Sequence, residues 1–129
     1  MLEILPETDD NTLIVKAIEK LTSRDYEDIF IPQLNLRLNK LGKLRVLMAF
    51  DDNFNGWEPG AAWDDLVFGV QHRHEFEKVA VVGEQKWLQW ATKIGAYFMD
   101  GQVATFTPDQ FQDAVHWLKQ RESANGQNG

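Results

Sequence analysis

Two short runs of nearly uninterrupted apolar residues constrain the fold of this chain more than any other feature. They are KLRVLMAF, residues 43–50, and FEKVAVVG, residues 76–83. A strand with one face in water alternates apolar and polar residues, whereas a strand covered on both faces can be apolar along its length. We therefore predict that both runs form buried strands within one sheet.

Segments with helical spacing of apolar residues alternate with the strands. The first helix is predicted to begin at a cap on Thr22 or Ser23 and to end at Gly42, and Pro32 should kink it because proline removes a backbone hydrogen bond. The last helix has the strongest start signal, the capping sequence TPDQ at 107–110. The other predicted helices are 59–73 and 84–98, and the other predicted strands are LEIL near the amino terminus, 12–21 and 102–106.

The predicted order of elements is ββαβαβαβα. It indicates an α/β fold, a single domain with a mixed, mostly parallel sheet flanked by helices, whose first strand pairs antiparallel with the second. The 129 residues contain no internal repeat and no linker, so we predict one domain over residues 1–122. SANGQNG, residues 123–129, is expected to be a disordered polar tail.

Composition excludes several classes of function. The chain has no cysteine, and neither Ser23 nor Ser123 lies in a Gly-x-Ser-x-Gly motif, which argues against thiol and serine nucleophiles. A net charge of −7 disfavours binding to nucleic acid, and the cations do not cluster along the sequence. No apolar run approaches the ~20 residues of a membrane span, and no secretory signal is evident, so we expect a cytoplasmic protein that does not span a membrane.

The hexapeptide DDNFNG, residues 51–56, fits the first half of a calcium-binding loop. Such a loop needs a bidentate glutamate at its twelfth position, which here is Ala62, so the cage would stay open. Asp, Asn and Gly together are typical of turns. We interpret the hexapeptide as a connection from strand to helix, without calcium.

Other clusters of polar residues have simpler explanations than chemistry. Asp64 and Asp65 complement the dipole at the start of a predicted helix. His72, His74 and Glu75 come at its end, where histidines two residues apart face different sides of the helix. We therefore predict no catalytic residue, no metal site and no cofactor.

Three phrases of the sequence, GWEPGAAWDDLVFG (56–69), FEKVAVVG and KWLQW (86–90), together resemble the bacterial SpoIIAA-like family. This family is also described as STAS-like, with a likeness to CRAL-TRIO lipid-transfer domains, and the resemblance covers nearly the whole chain except the tail. It implies four βα turns around a mixed sheet. It implies no particular reaction.

The resemblance also bears on regulation. In the related sporulation anti-sigma-factor antagonist, a phosphorylated serine stands at the start of the second helix, where a partner protein docks. The matching region here contains Gly60, Ala61 and Ala62, and no serine or threonine lies between Ser23 and Thr92. The comparison therefore predicts partner docking without a phosphorylation switch at that position.

The loop at residues 51–58 follows a central strand at the carboxyl edge of the predicted sheet, where α/β proteins tend to bind ligands. Its aromatic residues either anchor a partner or fold back over the core, with the acids facing water, and we favour the second because aromatic side chains are mostly placed by burial. The surplus of tryptophans, five in all, also suggests a homo-oligomer interface, most simply that of a dimer. The candidate binding residues are Asp51, Asp52, Phe54, Trp57, Trp63, Phe68 and Trp87.

Three functions remain open at this point. The first is a non-enzymatic binding or interaction module that contacts a protein or small ligand. The second is a carrier of a lipid or other small apolar ligand, which requires that the aromatic side chains enclose a void. The third is an acid/base enzyme using Asp51, Asp52 or Asp64, which requires a raised carboxyl pKa in a cleft.

Overall fold

A computed structural model describes residues 1–58, 74–89 and 102–120 of the chain. The central sheet has five strands, β1 (Leu2–Ile4), β2 (Leu13–Ala17), β4 (Leu44–Phe50), β6 (Phe76–Val82) and β7 (Gln102–Phe106), in the order β1-β2-β4-β6-β7. The first strand is antiparallel to β2, and the other neighbours are parallel. The predicted mixed, mostly parallel sheet is confirmed.

The predicted strand 12–21 is divided in two. Glu19 has a φ of 57°, a left-handed conformation that turns the chain out of the central sheet after Ala17. The chain then forms a short strand, β3 (Lys20–Leu21), which pairs in parallel with β5 (Gly56–Trp57). The prediction of one long strand was wrong because residue alternation does not reveal a reversal in the sign of φ.

The first helix combines three segments, α1 (Ser23–Asp25), a π-helical turn (Tyr26–Phe30) and α2 (Ile31–Leu41). Thr22 caps it in a capping box with Asp25, and Gly42 ends it at a φ of 71°. Pro32 cannot donate a backbone hydrogen bond, and the turn before it is widened so that the Ile31 N–H bonds to the Tyr26 carbonyl. The irregularity expected at Pro32 therefore takes the form of a π turn.

The last helix begins where its capping sequence predicts. Thr107 forms a capping box with Gln110, followed by a 3₁₀ turn (Pro108–Gln110) and then α3 (Phe111–Lys119). Residues 85–89 are helical, in agreement with the start of the predicted helix 84–98. The predicted helix 59–73, the rest of helix 84–98 and the tail 123–129 lie outside the described residues.

The sheet is buried on both faces, which accounts for its apolar strands. On one face the first helix packs its buried Tyr26, Phe30 and Leu34 against the sheet. On the other face α3 contributes Ala114, Val115 and Leu118 to a second cluster. The side chains of β4 alternate between the two clusters, since Val46, Met48 and Phe50 belong to the first and Leu47 and Ala49 to the second.

Candidate functional site

The loop at residues 51–58 is a closed turn whose first residue organises it. The backbone N–H of Phe54 donates to the Asp51 carbonyl at 2.9 Å, and the N–H of Asn53 donates to Asp51 Oδ2 at 3.1 Å. The other carboxylate oxygen of Asp51 lies 3.4 Å from Lys16 Nζ. This is the turn that Asp and Asn favour, built from a side chain that accepts a backbone hydrogen bond two residues later.

The loop is also tied to the chain that precedes the first helix. The Asp51 N–H donates to Ala17 O at 2.9 Å, the Asn55 N–H to Glu19 O at 2.6 Å, and the Glu58 N–H to Leu21 O at 2.8 Å. The left-handed Glu19 turns its carbonyl to meet the loop. Both ends and the middle of the loop are therefore fixed by backbone hydrogen bonds.

The electrostatics of Asp51 suit an ion pair better than acid catalysis. Its hydrogen bond from the Asn53 backbone, with a contribution from Lys16, lowers the pKa of this carboxyl group below its usual value. A general acid needs the opposite shift. Among residues 1–58, 74–89 and 102–120, no group of three or more His, Asp or Glu side chains is placed to hold a metal ion.

Four aromatic rings, those of Phe50, Phe54, Trp57 and Trp87, form what we call the aromatic cluster. Each ring contacts the other three, with centroid distances between 4.7 and 5.9 Å. Most of these pairs are edge-to-face, the arrangement that the ring quadrupole favours. Trp57 Nε1 donates to Tyr26 Oη at 3.1 Å, which joins the cluster to the π turn of the first helix.

Three of the predicted site residues, Phe54, Trp57 and Trp87, belong to this aromatic cluster. Phe54 is only 3% exposed and folds back onto the core, whereas Trp57 and Trp87 are half-buried. The four rings are packed against one another. Trp63 and Phe68, which were predicted to belong to the same site, lie outside the described residues.

The surface that the loop presents is polar. Asp52 is exposed, as predicted, and so are Asn53 and Asn55, which the sequence analysis did not select. These three residues flank the buried Phe54 in the sequence, on a turn held by backbone hydrogen bonds. A single apolar residue among the Asp and Asn residues of DDNFNG is the signal that could have identified them.

Two further residues that support the site were also missed. Phe50, the last residue of β4, contributes one of the four rings of the aromatic cluster. At Gly83, which follows β6, an added Cβ would lie 3.3 Å from the Phe50 ring, so a larger residue there would crowd the cluster. Period-two alternation along β4 places Phe50 on the same face as Met48 and could have indicated its packing side.

Comparisons with known proteins agree with this architecture. The family model described as SpoIIAA-like matches residues 12–119. A crystal structure of an uncharacterized protein of the DUF3478 family with a SpoIIAA-like fold, from Shewanella loihica PV-4, is similar to this chain with a TM-score of 0.67 and 33% sequence identity, over 92% of each chain. No curated protein matches the sequence. None of the described helices is both long and apolar enough to cross a membrane.

Proposed function

This chain belongs to the SpoIIAA-like family, and from that premise we propose that it is a non-enzymatic, cytoplasmic interaction module that docks a protein partner on its 51–58 loop. The partner most simply expected is a second copy, which would make a homodimer. No serine or threonine lies between Ser23 and Thr92, which supports docking that is not controlled by phosphorylation at the start of the predicted helix 59–73.

One observation carries this proposal, the combination of a fixed loop with an exposed polar tip. Asp52, Asn53 and Asn55 stand on a turn held by backbone hydrogen bonds and by the aromatic cluster beneath it. A surface that is ordered before binding loses less conformational entropy when a partner docks. Loops on a rigid scaffold at the carboxyl edge of a parallel sheet are also where α/β proteins tend to place binding residues.

A non-enzymatic role is supported by the charge state of the same site. The lowered pKa of Asp51 keeps it ionised and paired with Lys16, so it does not have the properties of a general acid. Asp52 lies on the exposed side of the turn rather than in a dry cleft. The third residue considered for catalysis, Asp64, lies outside the described residues.

Photo-crosslinking from the loop tests this function. A photoreactive amino acid is placed at Asn53 in the full chain and irradiated in cells that naturally produce the protein. The matched control carries it at Asn35, which is also an exposed asparagine and lies on α2. We expect a discrete product from position 53, identified by mass spectrometry as a second copy or one defined protein, and none from position 35. Equal or absent labelling at both positions would remove the support for this surface.

A carrier of a small apolar ligand or lipid is the second candidate. The observation that favours it is the partial exposure of Trp57 and Trp87, whose indole rings are adjacent and reach the surface. A fluorescent fatty acid titrated into the protein should then quench the fluorescence of these tryptophans at one equivalent. Trp87→Phe and, as control, Trp117→Phe on α3 distinguish quenching at the cluster from quenching elsewhere. No saturable quenching excludes fatty acids as the cargo.

A further inference from the structure

A pocket of about 470 Å³ lies at the edge of the sheet opposite to the 51–58 loop. It is lined by the turn between β1 and β2, by the end of α2, by the first residues of β4 and β6, and by Lys119 of α3. Its volume falls within the range of pockets that hold small molecules. The proposed docking function does not involve it.

The turn that forms one wall of this pocket is held by both layers of helices. Arg37 of α2 is 6% exposed and donates from Nη2 to the Asp9 carbonyl at 2.8 Å. Lys119 of α3 donates to the Glu7 carbonyl at 2.7 Å and lies 3.2 Å from Asp9 Oδ2. The Asn11 N–H donates to Asp9 Oδ1 at 2.9 Å. Because helices on opposite faces of the sheet bind one turn, the wall is ordered without a ligand.

The floor of the pocket contains an irregularity in a parallel pair of strands. The register between β4 and β6 shifts after Leu44, so that Glu77 is an extra residue between the partners of Leu44 and Arg45. Bulges are rare in parallel pairs and redirect a side chain, commonly beside functional sites. Here Arg45 Nε donates to Glu77 Oε1 at 2.7 Å.

The lining has one more cation than it has carboxylates, although the chain as a whole is acidic. Lys43, Arg45 and Lys119 line the pocket with two carboxylates, Asp9 and Glu77. The hydrogen bond from Arg45 lowers the pKa of Glu77, and for Asp9 the hydrogen bonds from the Asn11 backbone and Lys119 outweigh the effect of burial, so its pKa is lowered too. The fold thus places Lys119 beside Lys43 and Arg45, from which it is distant in the sequence.

Lys43 is the cation best able to reach a ligand. Its Nζ lies 3.9 Å from Glu77 Oε2, at the outer limit of an ion pair, and its side chain is 68% exposed. Arg45, in contrast, is held in place by Glu77 and by hydrogen bonds from Nη1 to the carbonyls of Leu118 and Gln120 at the end of α3. One fixed guanidinium and one adaptable ammonium group suit an anionic head group.

We propose that this pocket binds a small organic anion that carries a phosphate or carboxylate group at one end and hydroxyl groups at the other. Lys43 and Arg45 contact the anionic group. Asp9 and Asn11 accept hydrogen bonds from the hydroxyls, and the exposed side chain of Leu41 packs against the carbon skeleton.

Two probes, glycerol 3-phosphate and malate, distinguish a phosphate from a carboxylate head group. Each is titrated into the full-length protein and followed by two-dimensional amide NMR at low salt. We expect saturable shifts for at least one probe at residues 9–12, 41–45 and 77–78, and the tighter probe identifies the head group. Lys43→Gln should weaken binding about tenfold, the scale of one lost hydrogen bond between charged groups.

Lys40→Gln is the matched control. It removes the same charge three residues earlier, from a side chain that is 58% exposed and pairs with Asp10 rather than lining the pocket. An equal loss of affinity in both variants would mean a general effect of net charge and would overturn the proposal. So would shifts without saturation, or shifts at residues 51–58. None of these results bears on photo-crosslinking from Asn53, because the two sites lie at opposite edges of the sheet.

Discussion

The two edges of the sheet are both rigid, but different forces hold them. At the carboxyl edge the loop 51–58 is fixed by packed aromatic rings and backbone hydrogen bonds. At the amino edge the pocket is fixed by charged side chains that bridge strands, helices and a turn. Aromatic packing has no charge for salt to screen or for acid to titrate, whereas ion pairs are weakened by both. Mutation, pH and salt should therefore change the contributions of the two edges to stability in different ways.

The largest effect is expected from Phe54→Ala. The ring is 3% exposed and contacts three other rings, so its loss removes buried apolar area and leaves a cavity. Substitutions of this kind cost about 3–5 kcal/mol in the free energy of unfolding. Urea denaturation followed by circular dichroism measures the cost. Leu36→Ala is the control, since Leu36 is 54% exposed, and it should change stability by less than about 0.5 kcal/mol. Similar values for both variants would contradict the packed cluster.

A smaller effect is expected from Arg45→Ala at the other edge. Its side chain is 15% exposed, and its removal leaves Glu77 without its nearest cation and deletes the hydrogen bonds to the carbonyls of Leu118 and Gln120. We expect a loss of about 2 kcal/mol, as for a partly buried hydrogen-bonded charge. Lys40→Ala, which removes a solvent-exposed cation, should cost less than about 1 kcal/mol. Unfolding at low and high salt compares the two pairs, since salt should screen the exposed pair of Lys40 and Asp10 more than the partly buried pair of Arg45 and Glu77.

Gly42→Ala should have an effect of about 1 kcal/mol, because the glycine ends α2 in a left-handed conformation that alanine adopts only with strain. No atom lies within 4 Å of an added Cβ, so the cost comes from the backbone alone. Gly42→Asn, whose side chain tolerates this conformation, is the control and should recover part of the loss. Thermal unfolding compares the three proteins. An alanine variant as stable as the wild type would contradict the left-handed cap.

The pH dependence of stability gives the finest distinction between the edges. The pKa of Glu77 is lowered from 4.5 by its hydrogen bond from Arg45, so its folded pKa lies below its unfolded pKa. Its contribution is therefore present above pH 4.5 and is lost as the pH falls through the folded pKa. Glu77→Gln should flatten the decline of stability in acid, whereas the penalty of Phe54→Ala should stay constant between pH 7 and 4. A Glu77→Gln variant with the acid sensitivity of the wild type would contradict the assigned pair.

The sequence was informative where structure is set by neighbouring residues. Thr22 and Thr107 begin helices because each forms a capping box with a residue three positions later, and the apolar runs of β4 and β6 reflect burial on both faces. The break at Glu19 was not predictable, because that residue is turned by pairing with a loop more than thirty positions away.

The candidate site was predictable only in part, for the same reason. The sequence predicts DDNFNG to be a turn at the carboxyl edge and favours a buried Phe54, but only on the general tendency of aromatic side chains to be buried. Its burial depends on Phe50 and Trp87, which reach the loop from two other elements. The pairing of Arg45 with Glu77 depends in turn on a bulge that no local pattern encodes.

Native mass spectrometry of gently purified protein, compared with its denatured mass, tests the docking account most directly. The account predicts a bare homodimer for the wild type and a monomer for Asn53→Arg, while Asn35→Arg, which changes the same residue type on α2, remains a dimer. A stoichiometric adduct with the mass of a lipid or other apolar molecule, lost on denaturation, would contradict it and support the carrier, whereas a small polar anion would be assigned to the pocket at the amino edge. A monomeric wild type, or a dimer unaffected by Asn53→Arg, would contradict self-association through the 51–58 loop.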